Sequence, residues 1–118
     1  MKIAISSAGR GIESEIDVRF GRCPYFVIVE IENNKIKNEK TIENTAAQGM
    51  SAGITAAQIV ANEGVSAVIT KNMGPRAYNV MQQLGIKVYI ASGKIKEAVQ
   101  KFIEGKLEEM KVATGPRF

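Results

Sequence analysis

The chain has 118 residues, 45% hydrophobic and 24% charged, which fits one globular domain with enough apolar material for a core. Its net charge of +4 and pI near 9.3 favour an anionic partner without choosing among nucleic acid, a phosphorylated metabolite and a metal cluster. There is no histidine and only one aspartate, Asp17, so the commonest general base is missing and a two-metal hydrolytic centre lacks its carboxylates.

No apolar run approaches the roughly 18 residues of a membrane span. Residues 1–5 read as a first strand rather than a signal segment. The one cysteine, Cys23, cannot form an intrachain disulfide and fits a reducing, cytoplasmic setting.

In chain order, Ile3-Ala4-Ile5 predicts a strand over 2–6 that breaks into the polar loop Ser6-Ser7-Ala8-Gly9-Arg10-Gly11. Gly9 and Gly11 are no dinucleotide fingerprint, because the third glycine position is Ser14 and no helical pattern follows. Arg19-Phe20-Gly21-Arg22-Cys23-Pro24 then leads into an aromatic and β-branched strand over 25–31. Glycine lets backbone approach a ligand closely, and proline sets the approach to the strand. Cys23 has two readings at this point. A thiol beside a guanidinium has a lowered pKa and suits a metal or anionic cluster, whereas the same residue in a plain turn is a small, half-buried hydrophobe.

A turn at 32–35 predicts a hairpin to a strand over 35–42, followed by the small-residue loop 43–50. Ser51 reads as the N-cap of a helix over 52–63, closed by Gly64. A buried strand at 67–70 precedes Lys71-Asn72-Met73-Gly74, and Pro75 stands at a first helical position. Ala77, Val80, Met81 and Leu84 form one helix face, and Gly85 stops it. Residues 87–90 are a last strand. Ile95, Ala98, Val99, Phe102 and Ile103 repeat the helical stripe up to Gly105. The expected organisation is one domain over 1–107 and a flexible C-terminal tail over 108–118.

The order β-β-β-α-β-α-β-α makes a five-stranded mixed sheet, an α/β fold with helices on its faces. With the hairpin strands antiparallel and the helix-linked strands parallel, the loops at 19–24, 44–50, 71–74 and 91–94 gather on one sheet edge. Asn72-Met73-Gly74-Pro75 would place free N–H groups and a positive helix end there. Arg10, Arg19, Arg22, Lys71 and Arg76 would surround it with charge. Met50 and Met73, in loops, are expected to pack over an apolar rim, with metal contact as the alternative for their thioethers.

Phe20-Gly21-Arg22-Cys23-Pro24-Tyr25-Phe26, Glu43-Asn44-Thr45-Ala46-Ala47-Gln48-Gly49, Asn72-Met73-Gly74-Pro75-Arg76-Ala77 and Gly85-Ile86-Lys87-Val88-Tyr89 together resemble the dinitrogenase iron–molybdenum cofactor biosynthesis family of NifX-like carriers and NifB-like C-terminal domains. The resemblance runs from Met1 to about Leu107. It implies a three-layer ribonuclease-H-like fold and non-catalytic binding of an iron–molybdenum cofactor precursor or iron–sulfur cluster, passed between donor and acceptor proteins. It also implies a site built from Arg19, Gly21, Arg22, Cys23, Gln48, Gly49, Asn72, Met73, Gly74 and Arg76, with Cys23 as the metal ligand. Members often carry histidine where this chain has Arg19 and Gln48, which leaves Cys23 as the sole ligand against the four that normally hold a cluster.

Two other readings follow from the residues. A nuclease on this fold lacks its metal-binding carboxylates, Glu13, Glu15 and Asp17 being the only acidic group near the edge. A binder of phosphometabolite or nucleic acid would use the same basic loops, although Phe20 and Tyr25 offer little stacking surface for single strands.

Overall fold

The structure is a computed structural model, and residues 1–114 are described. Its strands are β1 (Lys2–Ser7), β2 (Tyr25–Glu32), β3 (Lys35–Glu43), β4 (Ala67–Thr70), β5 (Lys87–Ile90) and β6 (Glu108–Glu109). Its helices are α1 (Ala52–Ala61), α2 (Pro75–Gln83) and α3 (Ile95–Ile103). They form one mixed sheet in the order β3-β2-β1-β4-β5-β6. β1 runs antiparallel to β2 and parallel to β4; β4 and β5 are parallel, and β6 is antiparallel to β5.

Alternation along the strands divides the core in two, because successive side chains leave a strand on opposite faces. Ala4, Phe26, Ile28, Val68 and Val88 face one layer, where Ala56, Ala57 and Val60 of α1 meet Ala77 and Met81 of α2. Ile3, Ile5, Val27, Val29 and Ile69 face the other, covered by Ile95, Ala98 and Val99 of α3. Helices therefore lie on both sides, two on one face and one on the other.

The expected five strands are six. Glu108 and Glu109 pair with Ile90 and Tyr89, the Met110 N–H donates to the Val88 carbonyl at 2.7 Å, and the Met110 side chain is buried in the α1/α2 layer. Residues 108–114, expected to be a flexible tail, are thus part of the fold. The remainder of that expectation, 115–118, lies outside the described residues. A second correction concerns Ser51. It stands at the N-cap of α1 but has φ of 56°, in the left-handed region, and its hydroxyl makes no capping bond.

Candidate functional site

β1, β4 and β5 all end on one edge, where β2 begins and β3 finishes, so the polar loops converge there as the strand directions require. Backbone bonds tie the loops together. The Asn72 N–H donates to the Val18 carbonyl at 3.0 Å and the Phe20 N–H to the Asn72 carbonyl at 3.2 Å, laying 18–20 alongside the end of β4. Beneath them the buried Ser6 hydroxyl lies 2.8 Å from both the Asp17 carbonyl and the Thr70 hydroxyl. This anchor was missed in the sequence, where Ser6 and Thr70 look like ordinary loop-flanking residues.

Between the 19–22 loop and the two helices lies a cleft of about 80 Å³. One wall is the start of α1, Ser51 to Ile54, and the other runs from Gly74 to Ala77 at the start of α2. Phe20, buried, contributes apolar surface between them. Glycines permit this approach. A Cβ on Gly21 would stand 2.9 Å from Gly53 Cα and N, and a Cβ on Gly53 would stand 3.3 Å from Ala77 Cβ. Gly53 was not recognised as a site residue. Its signal was a glycine one position inside a helix of good formers, where it costs about 0.5–1 kcal/mol relative to alanine.

The two helix ends share an uncommon bareness. Neither N-cap, Ser51 or Gly74, supplies a side-chain bond, and neither first turn contains an acidic residue. The N–H groups of Gly53 and Ile54, and of Arg76 and Ala77, have no acceptor among the described residues. Each such end carries roughly half a positive charge. Arg19, Arg22 and Arg76 also line the cleft. Arg76 is exposed and makes no ion pair with a described residue, whereas Arg19 Nε lies 3.8 Å from Asp17 Oδ1. Arg22 is committed elsewhere, its Nη1 donating to the Ala47 and Gly49 carbonyls at 3.0 and 3.1 Å.

Of the residues expected at the site, Arg19, Gly21, Arg22, Asn72, Gly74 and Arg76 line this cleft. Gln48 does not; it is exposed and borders a separate depression with Tyr25 and Glu43. Gly49 enters only through its carbonyl, which holds Arg22. Met73 is 1% exposed and packs in the core, while Met50, expected to pack, is 96% exposed. Arg10 sits over the Tyr25 ring at 4.7 Å and pairs with Glu43 at 3.3 Å, away from the cleft. Lys71 is exposed and is not among the lining residues.

Cys23 departs most from expectation. Its side chain is fully buried among Phe20, Phe26 and Ala46, and its thiol donates to the Phe20 carbonyl at 3.1 Å. Burial pushes the thiol up to about 12, with the Asp17 charge adding to the rise, against a lowering by hydrogen bonds from the Ser7 backbone and the Asn44 amide. The expected lowering by a neighbouring guanidinium is therefore reversed, because the thiol is buried, while Arg22 directs its guanidinium to carbonyls. Asn44 organises this corner. Its Nδ2 donates to the Gly21 and Cys23 carbonyls at 3.1 and 2.8 Å, and its Oδ1 accepts from the Ala46 N–H at 3.1 Å. Among the described residues no group of three or more His, Cys, Asp or Glu side chains could hold a metal ion. No described helix is long and apolar enough to cross a membrane.

Sheet and cleft define a small α/β protein whose loop edge presents two bare helix N-termini to one opening. The chain belongs to the dinitrogenase iron–molybdenum cofactor family, whose profile matches residues 1–105. It is 52% identical over 98 residues to an uncharacterised protein of Methanocaldococcus jannaschii, covering 81% of this chain and 83% of that one. Its fold is similar to the apo form of the orange protein from Desulfovibrio gigas, with a TM-score of 0.89, 30% identity, and 97% and 96% of the two chains covered. A putative NifB protein from Thermotoga is also similar, with a TM-score of 0.82, 34% identity and 97% of each chain covered. Membership places the chain among the small proteins of iron–molybdenum cofactor biosynthesis.

Proposed function

We propose that the protein carries a preassembled anionic metal cluster, an iron–molybdenum cofactor precursor or an iron–sulfur cluster, between a donor and an acceptor protein in the cytoplasm, without catalysing a reaction on it. The carrying observation is the convergence of two uncapped helix N-termini, free of acidic residues, on a cleft flanked by Arg19 and Arg76. Backbone N–H groups and guanidinium groups match the charge of a sulfide-rich or carboxylate-bearing anion without a covalent bond.

In this reading Cys23 is a packing residue of the loop, and the Gly74 region with Arg76 does the holding. A protonated thiol in the core is a poor iron ligand, since the thiolate is the ligating form. A cleft of about 80 Å³ is smaller than pockets that engulf a ligand, commonly about 300–1,000 Å³. The cargo would rest partly outside, a geometry that favours transfer over permanent retention.

The test is anaerobic loading with iron and sulfide, and separately with a supplied iron–molybdenum–sulfur cluster, followed by metal and sulfide analysis and a visible spectrum. Wild type and Cys23→Ala are expected to take up cluster alike. Arg19→Glu/Arg76→Glu is expected to lose at least about tenfold in affinity, since hydrogen bonds to charged groups contribute about 1.5–3 kcal/mol each. Loss of uptake in Cys23→Ala would overturn the non-covalent cradle. If wild type takes up neither cluster, the same helix ends suit a phosphorylated metabolite, and inorganic phosphate is the first probe to try.

A further inference from the structure

The last described residues reach back to the cleft. After β6, the Thr114 N–H donates to the Met73 carbonyl at 3.0 Å, and the Met73 N–H donates to Thr114 Oγ1 at 3.3 Å. Midway, the Tyr78 hydroxyl on α2 donates to the Met110 carbonyl at 2.9 Å and accepts from Gln82 Nε2 at 2.8 Å. Met110 is buried in the layer that holds α2. The segment 108–114 is thus fastened at its start to β5, at its middle to Tyr78 of α2, and at its end to the residue preceding Gly74. It lies wholly beyond residue 105, where the family match ends.

We propose that 108–114 is a strap holding the α2 rim of the cleft, with Thr114 and Tyr78 as positioning residues whose release loosens that rim and speeds departure of the cargo. The last part rests on the cleft being the cargo site. Met73 is the point of attachment. Both its backbone polar groups are committed to Thr114, and the next three residues are Gly74, Pro75 and Arg76, which form the cleft wall. Pro75 supplies no N–H, so the α2 end offers only the Arg76 and Ala77 N–H groups, and their placement depends on where the 73–75 backbone is held. The α1 end is held differently: Arg22 Nη1 donates to the Gly49 carbonyl two residues before Ser51, and among the described residues Met50 and Ser51 make no hydrogen bond to another segment. The α2 rim is braced by the 108–114 segment, and the α1 rim by Arg22 from the loop on the far side of the cleft.

Hydrogen exchange on the apo protein tests the strap without any cargo, using Thr114→Val and Tyr78→Phe singly and together. The amides to follow are Met73, Thr114 and Tyr78, whose N–H donates to the Gly74 carbonyl. The control is Thr55, the equivalent first bonded amide of α1, which donates to the Ser51 carbonyl. The double variant is expected to exchange about tenfold faster at the α2 positions with Thr55 unchanged, as local opening follows the loss of the Met73–Thr114 hydroxyl bond and the Tyr78–Met110 bond that fasten the strap. In protein loaded from iron and sulfide, cluster release should accelerate by a similar factor at a temperature well below the Tm of either protein. Unchanged exchange at Met73 and Tyr78, equal acceleration at Thr55, or unaltered release would each overturn the strap. Wild type that takes up no cluster overturns the cargo reading instead, and the exchange comparison then decides the strap alone.

Discussion

The Cys23 sulfur sits in the core cluster that holds Phe20, Phe26 and Ala46, while its neighbour Arg22 reaches out to the Ala47 and Gly49 carbonyls. Its pKa is pushed from 9.0 to about 12, chiefly by burial. At pH 8 a thiol reagent should therefore modify native protein about a thousandfold more slowly than the unfolded chain, since only the thiolate attacks. Below pH 9 both states keep the proton and burial adds no pH dependence; from pH 9 to about 12 the unfolded thiol ionises first, so stability falls. Denaturant titrations of wild type and Cys23→Ala across that range should show the extra loss in wild type only. Equal labelling rates in native and unfolded protein would contradict the buried thiol. The neighbouring Asn44 was legible only as part of a motif. Its three bonds to the 21–23 and 46 backbone became visible once both loops were in place.

The elements α1 and α2 matter through their first turns. Strand directions alone placed those turns on the loop edge, because parallel strands joined by helices must present the same ends together. Their bareness was legible in part. Gly74-Pro75 announced an uncapped start, whereas Ser51 promised a hydroxyl cap that its left-handed backbone does not deliver. Gly21 and Gly53 were harder to read, because close backbone approach is a property of two distant residues and has no local signature. Gly21→Ala is the direct probe. The added methyl would meet Gly53 backbone at 2.9 Å, which cannot yield as a flexible side chain would. Forced repacking of this kind costs about 1–3 kcal/mol. The variant should lower the denaturation midpoint and weaken cluster uptake together, as the α1 wall is pushed from the loop. A midpoint equal to wild type would mean that the loop and helix are not held in contact.

At the scale of the molecule, the two-sided core was readable because apolar periodicity is periodicity of burial: five strands and three helices follow from it. The sixth strand has no such signal. Glu108 and Glu109 are two acidic residues in a charged stretch, and they join the sheet by backbone bonds to Ile90 and Tyr89, which any residue type can make. What holds them is Met110, 1% exposed, inserted among the same layer that packs Ala77 and Met81. The far edge of the sheet and the brace on α2 therefore depend on one side chain near the end of the chain. Met110→Ala should cost about 2–5 kcal/mol, the range for truncating a fully buried methionine. A residue in an unstructured tail would cost almost nothing, so the measurement separates the two descriptions without a ligand. Urea denaturation of wild type and Met110→Ala supplies the number. Because the loss would fall first on β6 and the strap, amides of 108–114 should exchange faster before those of β1 and β4, whose strands lie inside the sheet. Equal stability of the two proteins would return 108–114 to a tail that merely lies alongside the fold.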